Sequence, residues 1–326
     1  MGFRLLMIAT GPSGTNLSED QAEEWPLRLE GLVPGIQIDS CHSVEEAMAV
    51  IGEADGAFGD VIPELFQRAK RLQWVQSPRA APKTGYYHPA LIDSDVVVTN
   101  MRGIFSDHIG AHIMSFVLAF SRGLHVYLPQ QLRREWKSGA PVVYLPEATA
   151  VIVGVGAIGS EVARLCSEFG MTVVGVDART TEPPPGVSEL YTPDRLPEVL
   201  PRADFLITTV PETPETRRMF AAPVFRLMKP TAYLINIGRG ATVVLDDLVE
   251  ALRGGEIAGA GLDVYETEPL PADHPLWTTP GALMTPHMAA DGPYVEERRA
   301  EVFMDNCVRF DEGRELRNIV DKAKWF

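Results

Sequence analysis

Arg239, Glu268 and His287 each stand at or just beyond the end of a short apolar run. The runs read as buried strands at 232–237, 259–263 and 282–285, and open α/β sheets bind ligands past their strand C-terminal ends. Taken singly, each residue has an ordinary explanation. Arg239 lies between Gly238 and Gly240 and reads as a turn with a solvated arginine. Asp263 to Pro269 reads as an acidic turn, and a lone histidine is more often structural than catalytic. Together they suit hydride transfer to a carbonyl. The histidine can donate a proton to the carbonyl oxygen near neutral pH. A carboxylate beside it favours the imidazolium. The arginine can hold a substrate carboxylate through two parallel hydrogen bonds and stabilise charge developing on oxygen.

A hydride needs a carrier, and Val151 to Gly159 supplies a place for one. An apolar run ends at Val153, and Gly154, Gly156 and Gly159 then fill the G-x-G-x-x-G pattern. Ala157 and Ile158 open a helical stretch, and a second apolar run from Thr172 to Val176 ends in Asp177. Strand, glycine turn, helix, strand, acid is the context a dinucleotide site requires. Gly154 permits the tight turn, Gly156 lets the backbone approach a pyrophosphate, and Gly159 lets helix and strand pack closely. The N–H groups at the helix start face the anion. Asp177 can accept bonds from the ribose hydroxyls and would repel a 2′-phosphate, which favours NAD. Arg179 and Thr180 follow at once, so NADP is the alternative.

The 326 residues suggest about two domains. A formal charge of −15 disfavours nucleic-acid and anionic-membrane partners, and leaves an anionic substrate dependent on local basic groups. Cys41, Cys166 and Cys307 are scattered, which fits a reducing cytoplasm with the cysteines as small core hydrophobes. The seven histidines are dispersed too, so no metal site is expected. Phe3 to Ala9 is too short for a signal peptide or membrane span and reads as a first strand.

The elements that position these groups alternate between strand and helix. Strands are predicted at 4–9, 36–38, 57–58, 72–75 and 96–99, with helices at 19–30, 43–52 and 61–70. A long helix follows over 107–122, then an irregular aromatic and proline-rich stretch at 123–145 that suits a subunit-spanning arm. A second strand–helix series starts at 150, and a helix over 294–313 returns the chain to the first segment. The predicted fold class is α/β, with two Rossmann-like, doubly wound parallel-sheet domains. A dinucleotide-binding domain (102–287) is inserted into a flavodoxin-like substrate domain (1–101 plus 288–326). The substrate is expected in the cleft between them.

These segments resemble the D-isomer-specific 2-hydroxyacid dehydrogenase family. The match covers nearly the whole chain: the glycine fingerprint, Val210 to Thr216, the Arg239 loop, Asp263 through Pro269, and Thr285 to His287. The resemblance implies that Arg239 binds a 2-oxo acid, that His287 is the acid/base and that Glu268 is its partner. It also implies that Asp263 contacts the nicotinamide carboxamide, and that Val210, Pro211, Thr216, Ile237 and Gly238 line the cofactor site. It implies a homodimer joined partly through an arm like 123–145.

Two departures stand out. The family's small-residue carboxylate loop here reads Ser77-Pro-Arg-Ala-Ala-Pro82, so Ser77, Arg79 and Ala80 become the expected substrate contacts. Pro78 removes a donor from that loop, and Ala81 stands where glycine is usual. Ala111-His112 replaces the common Glu-His, and His112 reads as a packed helix residue; His108 is a cleft candidate. Arg79, Tyr86, Tyr87 and His88 are candidates for the substrate side-chain pocket. The expected activity is NAD(H)-dependent reduction of a small anionic 2-oxo acid to its 2-hydroxy acid. The alternatives are an NADP-dependent glyoxylate/hydroxypyruvate reductase and a non-catalytic, NAD-sensing corepressor-like scaffold. Glu268 argues against a formate dehydrogenase relative.

Overall fold

The computed structural model describes residues 2–11, 14–82 and 85–325. It divides into two compact units, Met1–Ile104 with Pro293–Phe326, and Phe105–Gly292.

In the first unit, β1 (Arg4–Ile8), β2 (Gln37–Cys41), β3 (Gly56–Phe58), β4 (Trp74–Gln76) and β5 (Val97–Thr99) form one parallel sheet. Its order, β2-β1-β3-β4-β5, is the flavodoxin-like doubly wound order. β3 and β4 are buried throughout, as central parallel strands covered on both faces must be. The helix Glu19–Leu32 starts at a capping box: Ser18 Oγ accepts from the Gln21 N–H, and Gln21 Oε1 accepts from the Ser18 N–H. The C-terminal helix Val295–Asp311 is joined to this unit through Phe303, whose ring lies 4.7 Å from Phe58 and 5.6 Å from Trp25.

In the second unit, seven parallel strands form the sheet: β6 (Thr149–Val153), β7 (Thr172–Val176), β8 (Glu189–Tyr191), β9 (Phe205–Thr208), β10 (Tyr233–Asn236), β11 (Gly259–Leu262) and β12 (Ala282–Met284). The order is β8-β7-β6-β9-β10-β11-β12. It reverses between β6 and β9, which is where a doubly wound sheet opens its ligand crevice. Alternate side chains enter two cores. Val151, Val153, Leu206 and Leu234 pack on one face, and Ala150, Ile152, Phe205, Ile207, Tyr233 and Ile235 on the other. Each fully buried aliphatic side chain contributes about 1.5–3 kcal/mol, so this sheet is the rigid base of the unit. Register then aligns the strand ends. Val153 pairs with Thr208, Thr208 with Asn236, Asn236 with Leu262, and Leu262 with Met284. The residues that follow these five leave the sheet in one row.

Local differences from the expected elements have identifiable causes. Residues 61–70 hold only a short helix, Pro63–Phe66, because i→i+3 bonds at Arg68 and Ala69 tighten the chain before β4. The stretch 123–145, read as irregular, contains a helix over Leu124–Leu132 with Pro129 inside it. Gly123, at φ +70°, turns the chain there by 75° from the long helix Ser106–Ser121. Among the described residues no single helix is long and apolar enough to cross a membrane.

Candidate active site

The glycine loop carries three glycines for three different reasons. Gly154 adopts φ +92°, a left-handed conformation that side chains rarely take. A Cβ on Gly159 would stand 1.9 Å from the Gly154 carbonyl oxygen, so close packing excludes any side chain. A Cβ on Gly156 would meet nothing in the protein, yet Gly156 is the N-cap of the helix Ala157–Glu168 and no side chain caps that end. Open space in front of uncapped helical N–H groups, with Ala157 and Ile158 in the first turn, is a cradle for an anion. The site therefore fits the pyrophosphate of a dinucleotide.

Asp177 is more engaged than its expected role demands. Its Oδ2 accepts from the Val155 N–H at 2.8 Å, and its Oδ1 accepts from the N–H groups of Arg179 at 2.8 Å and Thr180 at 2.9 Å. Burial alone would raise its pKa. The backbone bonds outweigh burial and hold the carboxyl below the usual aspartate range. One carboxylate thus ties the end of β7 to the glycine loop.

Beyond β9, Gly154 O accepts from Thr209 Oγ1 at 2.7 Å. Thr216 Oγ1 donates to Pro211 O at 2.6 Å and closes the 211–216 turn. The Ile237–Gly240 loop packs directly against this segment, since a Cβ on Gly238 would lie 2.5 Å from Val210 O. Asn236 braces the same loop, accepting from the Gly238 N–H at 3.1 Å and donating to Arg239 O at 3.2 Å. Arg239 itself is half-buried, and its Nη1 donates to Gly238 O at 2.6 Å. Burial lowers the guanidinium from its ordinary value, against the opposing pull of Glu268 and Glu212. It still stays charged, as arginine does in proteins. Gly240 locks its loop onto the next, because a Cβ there would sit 1.8 Å from Tyr265 O.

That next loop presents the carboxylate. Glu268 Oε1 accepts from the Tyr265 N–H at 3.0 Å, and Oε2 lies 2.7 Å from His287 Nδ1. Burial works to raise the Glu268 carboxyl. The His287 bond, the Tyr265 bond and the charges of His287 and Arg239 together pull it below the usual glutamate range. Both side chains reach solvent, at 46% for His287 and 32% for Glu268. His287 sits at φ +54°, a conformation that costs a non-glycine residue roughly 1–3 kcal/mol and persists only when its surroundings hold it.

What holds it is Asp263, 1% exposed. Its Oδ1 accepts from Thr285 Oγ1 at 2.7 Å and from the Met288 N–H at 2.9 Å, and its Oδ2 accepts from the Ala289 N–H at 2.9 Å. Thr285 in turn lies 2.9 Å from Nε2 of His112, whose ring packs edge-on to Phe116. The local sequence carries no signal for this link, because His112 and Thr285 are 173 positions apart. His108 lies against Gly292, where a Cβ would come within 2.4 Å of its ring.

In the first unit, Ser77 Oγ donates to Arg79 O at 3.0 Å, and Ala80 O accepts from Asn100 Nδ2 at 2.9 Å, which fixes the loop despite Pro78. Arg79 Nη1 donates to Asp60 Oδ1 at 3.2 Å and Asn16 Oδ1 at 3.3 Å. His88 is a helix cap: its Nδ1 accepts from the Leu91 N–H at 3.2 Å, so the proton is on Nε2, which faces Val61 O. Burial lowers its pKa, in keeping with a neutral structural ring. Tyr87 is buried and stacks on Trp325. Tyr86 donates to Gly59 O at 3.3 Å. Among the described residues no group of three or more His, Cys, Asp or Glu side chains is placed to hold a metal.

A seven-stranded Rossmann sheet with an open glycine cradle at its switch point defines a dinucleotide-binding protein. The family model for the NAD-binding domain of D-isomer-specific 2-hydroxyacid dehydrogenases matches residues 114–289. A glyoxylate reductase of Pyrococcus furiosus is 30% identical over 95% of this chain and 92% of its own. A D-isomer-specific 2-hydroxyacid dehydrogenase of Xanthobacter autotrophicus, solved with NADPH and MES, aligns over all of both chains at 26% identity with a TM-score of 0.85. An NADPH-dependent glyoxylate/hydroxypyruvate reductase of Sinorhizobium meliloti, solved with NADP and sulfate, aligns over all of both chains at 27% identity with a TM-score of 0.81. The chain belongs to the D-isomer-specific 2-hydroxyacid dehydrogenase family. It is accordingly an oxidoreductase of 2-hydroxy acids that uses a nicotinamide cofactor.

Proposed function

We propose that the chain is an NAD(H)-dependent reductase of small 2-oxo acids such as glyoxylate or hydroxypyruvate. The observation that carries this reading is the 2.7 Å bond between His287 Nδ1 and Glu268 Oε2, on the strand-end row that also bears Arg239. Glu268 holds the His287 ring by Nδ1, so the proton delivered to the substrate is the one on Nε2. Arg239, partly desolvated and fixed by Asn236, binds the substrate carboxylate and steadies the charge that develops on the carbonyl oxygen. A bound nicotinamide supplies the hydride. The residues that would hold the dinucleotide as a whole are Gly154, Gly156, Ala157, Ile158, Gly159, Asp177, Val210, Pro211, Thr216, Ile237, Gly238 and Asp263. Ser77, Arg79 and Ala80 are the substrate contacts of the first unit.

The preference for NAD rests on Asp177. Its three backbone bonds hold a carboxylate in place, and a 2′-phosphate brought near it would be repelled. Oxidation of NADH and NADPH, side by side, against glyoxylate, hydroxypyruvate, pyruvate and phenylpyruvate tests both parts. Turnover with NADH is the expected result. Turnover with NADPH alone would overturn the cofactor assignment in favour of Arg179 and Thr180. Silence with both, despite NADH binding, would overturn the catalytic reading in favour of an NAD-sensing scaffold. Asp177→Ala is expected to raise the KM for NADH by about 10- to 10²-fold, the worth of a hydrogen bond to a charged group.

We also propose that 123–145 is a dimerisation arm. Leu124, Leu128 and Leu132 recur every four residues on the helix Leu124–Leu132, are 44%, 52% and 86% exposed, and share one face. Trp136, Val142 and Tyr144 beyond it are also exposed. Sedimentation of the wild type is expected to give a dimer, and the Leu128→Glu/Leu132→Glu double variant a folded monomer. A dimer in the double variant would place the contact elsewhere.

A further inference from the structure

The His287 loop is held through a chain of hydrogen bonds that starts on the long helix Ser106–Ser121. A carboxylate only accepts, so the Thr285 hydroxyl donates its single proton to Asp263 Oδ1, at 2.7 Å. Thr285 Oγ1 is then an acceptor toward His112 Nε2, at 2.9 Å, and that nitrogen must carry a proton. The chain therefore has one direction, from His112 through Thr285 to Asp263. Asp263 also accepts from the N–H groups of Met288 and Ala289. The carboxylate thus holds the chain on both sides of His287, through the Thr285 hydroxyl two residues before it and the backbone N–H groups one and two residues after. Asp263 is itself anchored, since its N–H donates to Asn236 O at 3.1 Å.

This explains how His287 keeps φ +54° within 2.7 Å of Glu268, although its own side chain is exposed. Hydrogen bonds in series through a poorly hydrated region strengthen one another, and losing one leaves its neighbours unsatisfied. His112 lies on the helix Ser106–Ser121, whose apolar face is packed into the unit's core, so the chain starts from a fixed point.

We propose that His112 is a positioning residue for catalysis: through Thr285 and Asp263 it sets the placement of His287 against Glu268. This rests on the reading of His287 as the acid/base. A displacement of the reacting group by a fraction of an ångström to 1 Å lowers turnover by up to about 10²-fold. The pyrophosphate and ribose are bound by the glycine loop and Asp177 and the substrate carboxylate by Arg239, with Asp263 alone shared between the chain and the cofactor, so most of the effect belongs in kcat.

Four variants of the full-length protein test this: His112→Leu, His112→Gln, Thr285→Val and Thr285→Ser. His112→Leu and Thr285→Val are expected to lower kcat by about 10- to 10²-fold while raising the KM for NADH by much less. His112→Gln offers an amide N–H to the same oxygen, and Thr285→Ser keeps the hydroxyl, so both are expected to retain most of kcat. The double variant His112→Leu/Thr285→Val is expected to be no slower than the slower single variant, because both break one chain. Full kcat in folded His112→Leu, or strictly additive losses in the double variant, would overturn the proposal. If His112→Leu does not fold, Thr285→Val, which keeps the side-chain shape, decides. A second readout needs no turnover. In ¹⁵N-edited spectra, assigned with His287→Gln, the Nδ1–H resonance of His287 is expected in wild type and His112→Gln and lost in Thr285→Val. Its persistence in Thr285→Val would also overturn the proposal. A wild type inactive on every 2-oxo acid would remove the catalytic reading alone, and this resonance would still decide whether His112 and Thr285 position His287.

Discussion

His287→Ala lowers kcat for 2-oxo acid reduction by at least ~10², the ordinary lower bound for losing a positioned acid/base. The ring is held by Nδ1 at 2.7 Å from Glu268, so the proton available to a carbonyl is on Nε2, and alanine supplies none. The KM for NADH stays unchanged, because the glycine loop and Asp177 lie on other strands. Stopped-flow measurement of NADH oxidation under saturating substrate checks this directly, and unchanged turnover would sink the mechanism. The companion variant Glu268→Gln separates position from charge. The amide can still accept from a ring N–H, but it carries no charge. The sign follows from linkage. The Glu268 carboxyl is held below its ordinary range, so it is ionised throughout neutral pH and is neutralised only as pH falls through that depressed value. Glutamine has no such group to protonate, so Glu268→Gln is expected to lower kcat at neutral pH and to remove the acid-side fall in the reduction profile that protonation of Glu268 produces. An unmoved profile would show that the carboxylate acts only as a spacer.

Arg239→Lys is expected to lower kcat/KM by about 10²–10³, the typical effect of removing one preorganised donor from a site of developing charge. The arginine's planar fork binds a carboxylate by two parallel bonds, and the ammonium of lysine is a compact, strongly hydrated point charge. Location sharpens the effect. The loop around Arg239 is clamped by Asn236 on one side and by the close approach of Gly240 to Tyr265 O on the other, so the shorter-reaching ammonium cannot be carried toward the substrate by loop movement. Part of the loss falls on the KM for the 2-oxo acid, which reports the carboxylate contact, and part on kcat, which reports charge on the reacting oxygen. The dissociation constant for NADH is expected to stay put. A change confined to NADH binding would mean that Arg239 serves the cofactor.

Much of this protein is legible from local sequence. Uninterrupted apolar runs such as Val151 to Val153 and Leu234 to Ile235 mark strands covered on both faces, because a parallel sheet needs hydrophobic side chains in both directions. The glycine spacing and the acid at Asp177 mark a dinucleotide loop, because each glycine answers a steric demand that sequence alone expresses. Arg239, Glu268 and His287 were recognisable as strand-end groups, because the sheet's polarity decides which end faces a ligand. The tertiary structure decided the rest. Register brought five strand ends into one row. Asp177 turned back onto Val155, and His88 became a helix cap, since a buried polar atom takes whichever partner packing offers. The helix Leu124–Leu132 formed around Pro129 once Gly123 had turned the chain. The bond from His112 to Thr285 spans 173 positions and depends on a helix settling against the strand ends. Periodicity and motifs report what a residue prefers among its near neighbours; a hydrogen bond between distant segments exists only when the whole sheet is assembled.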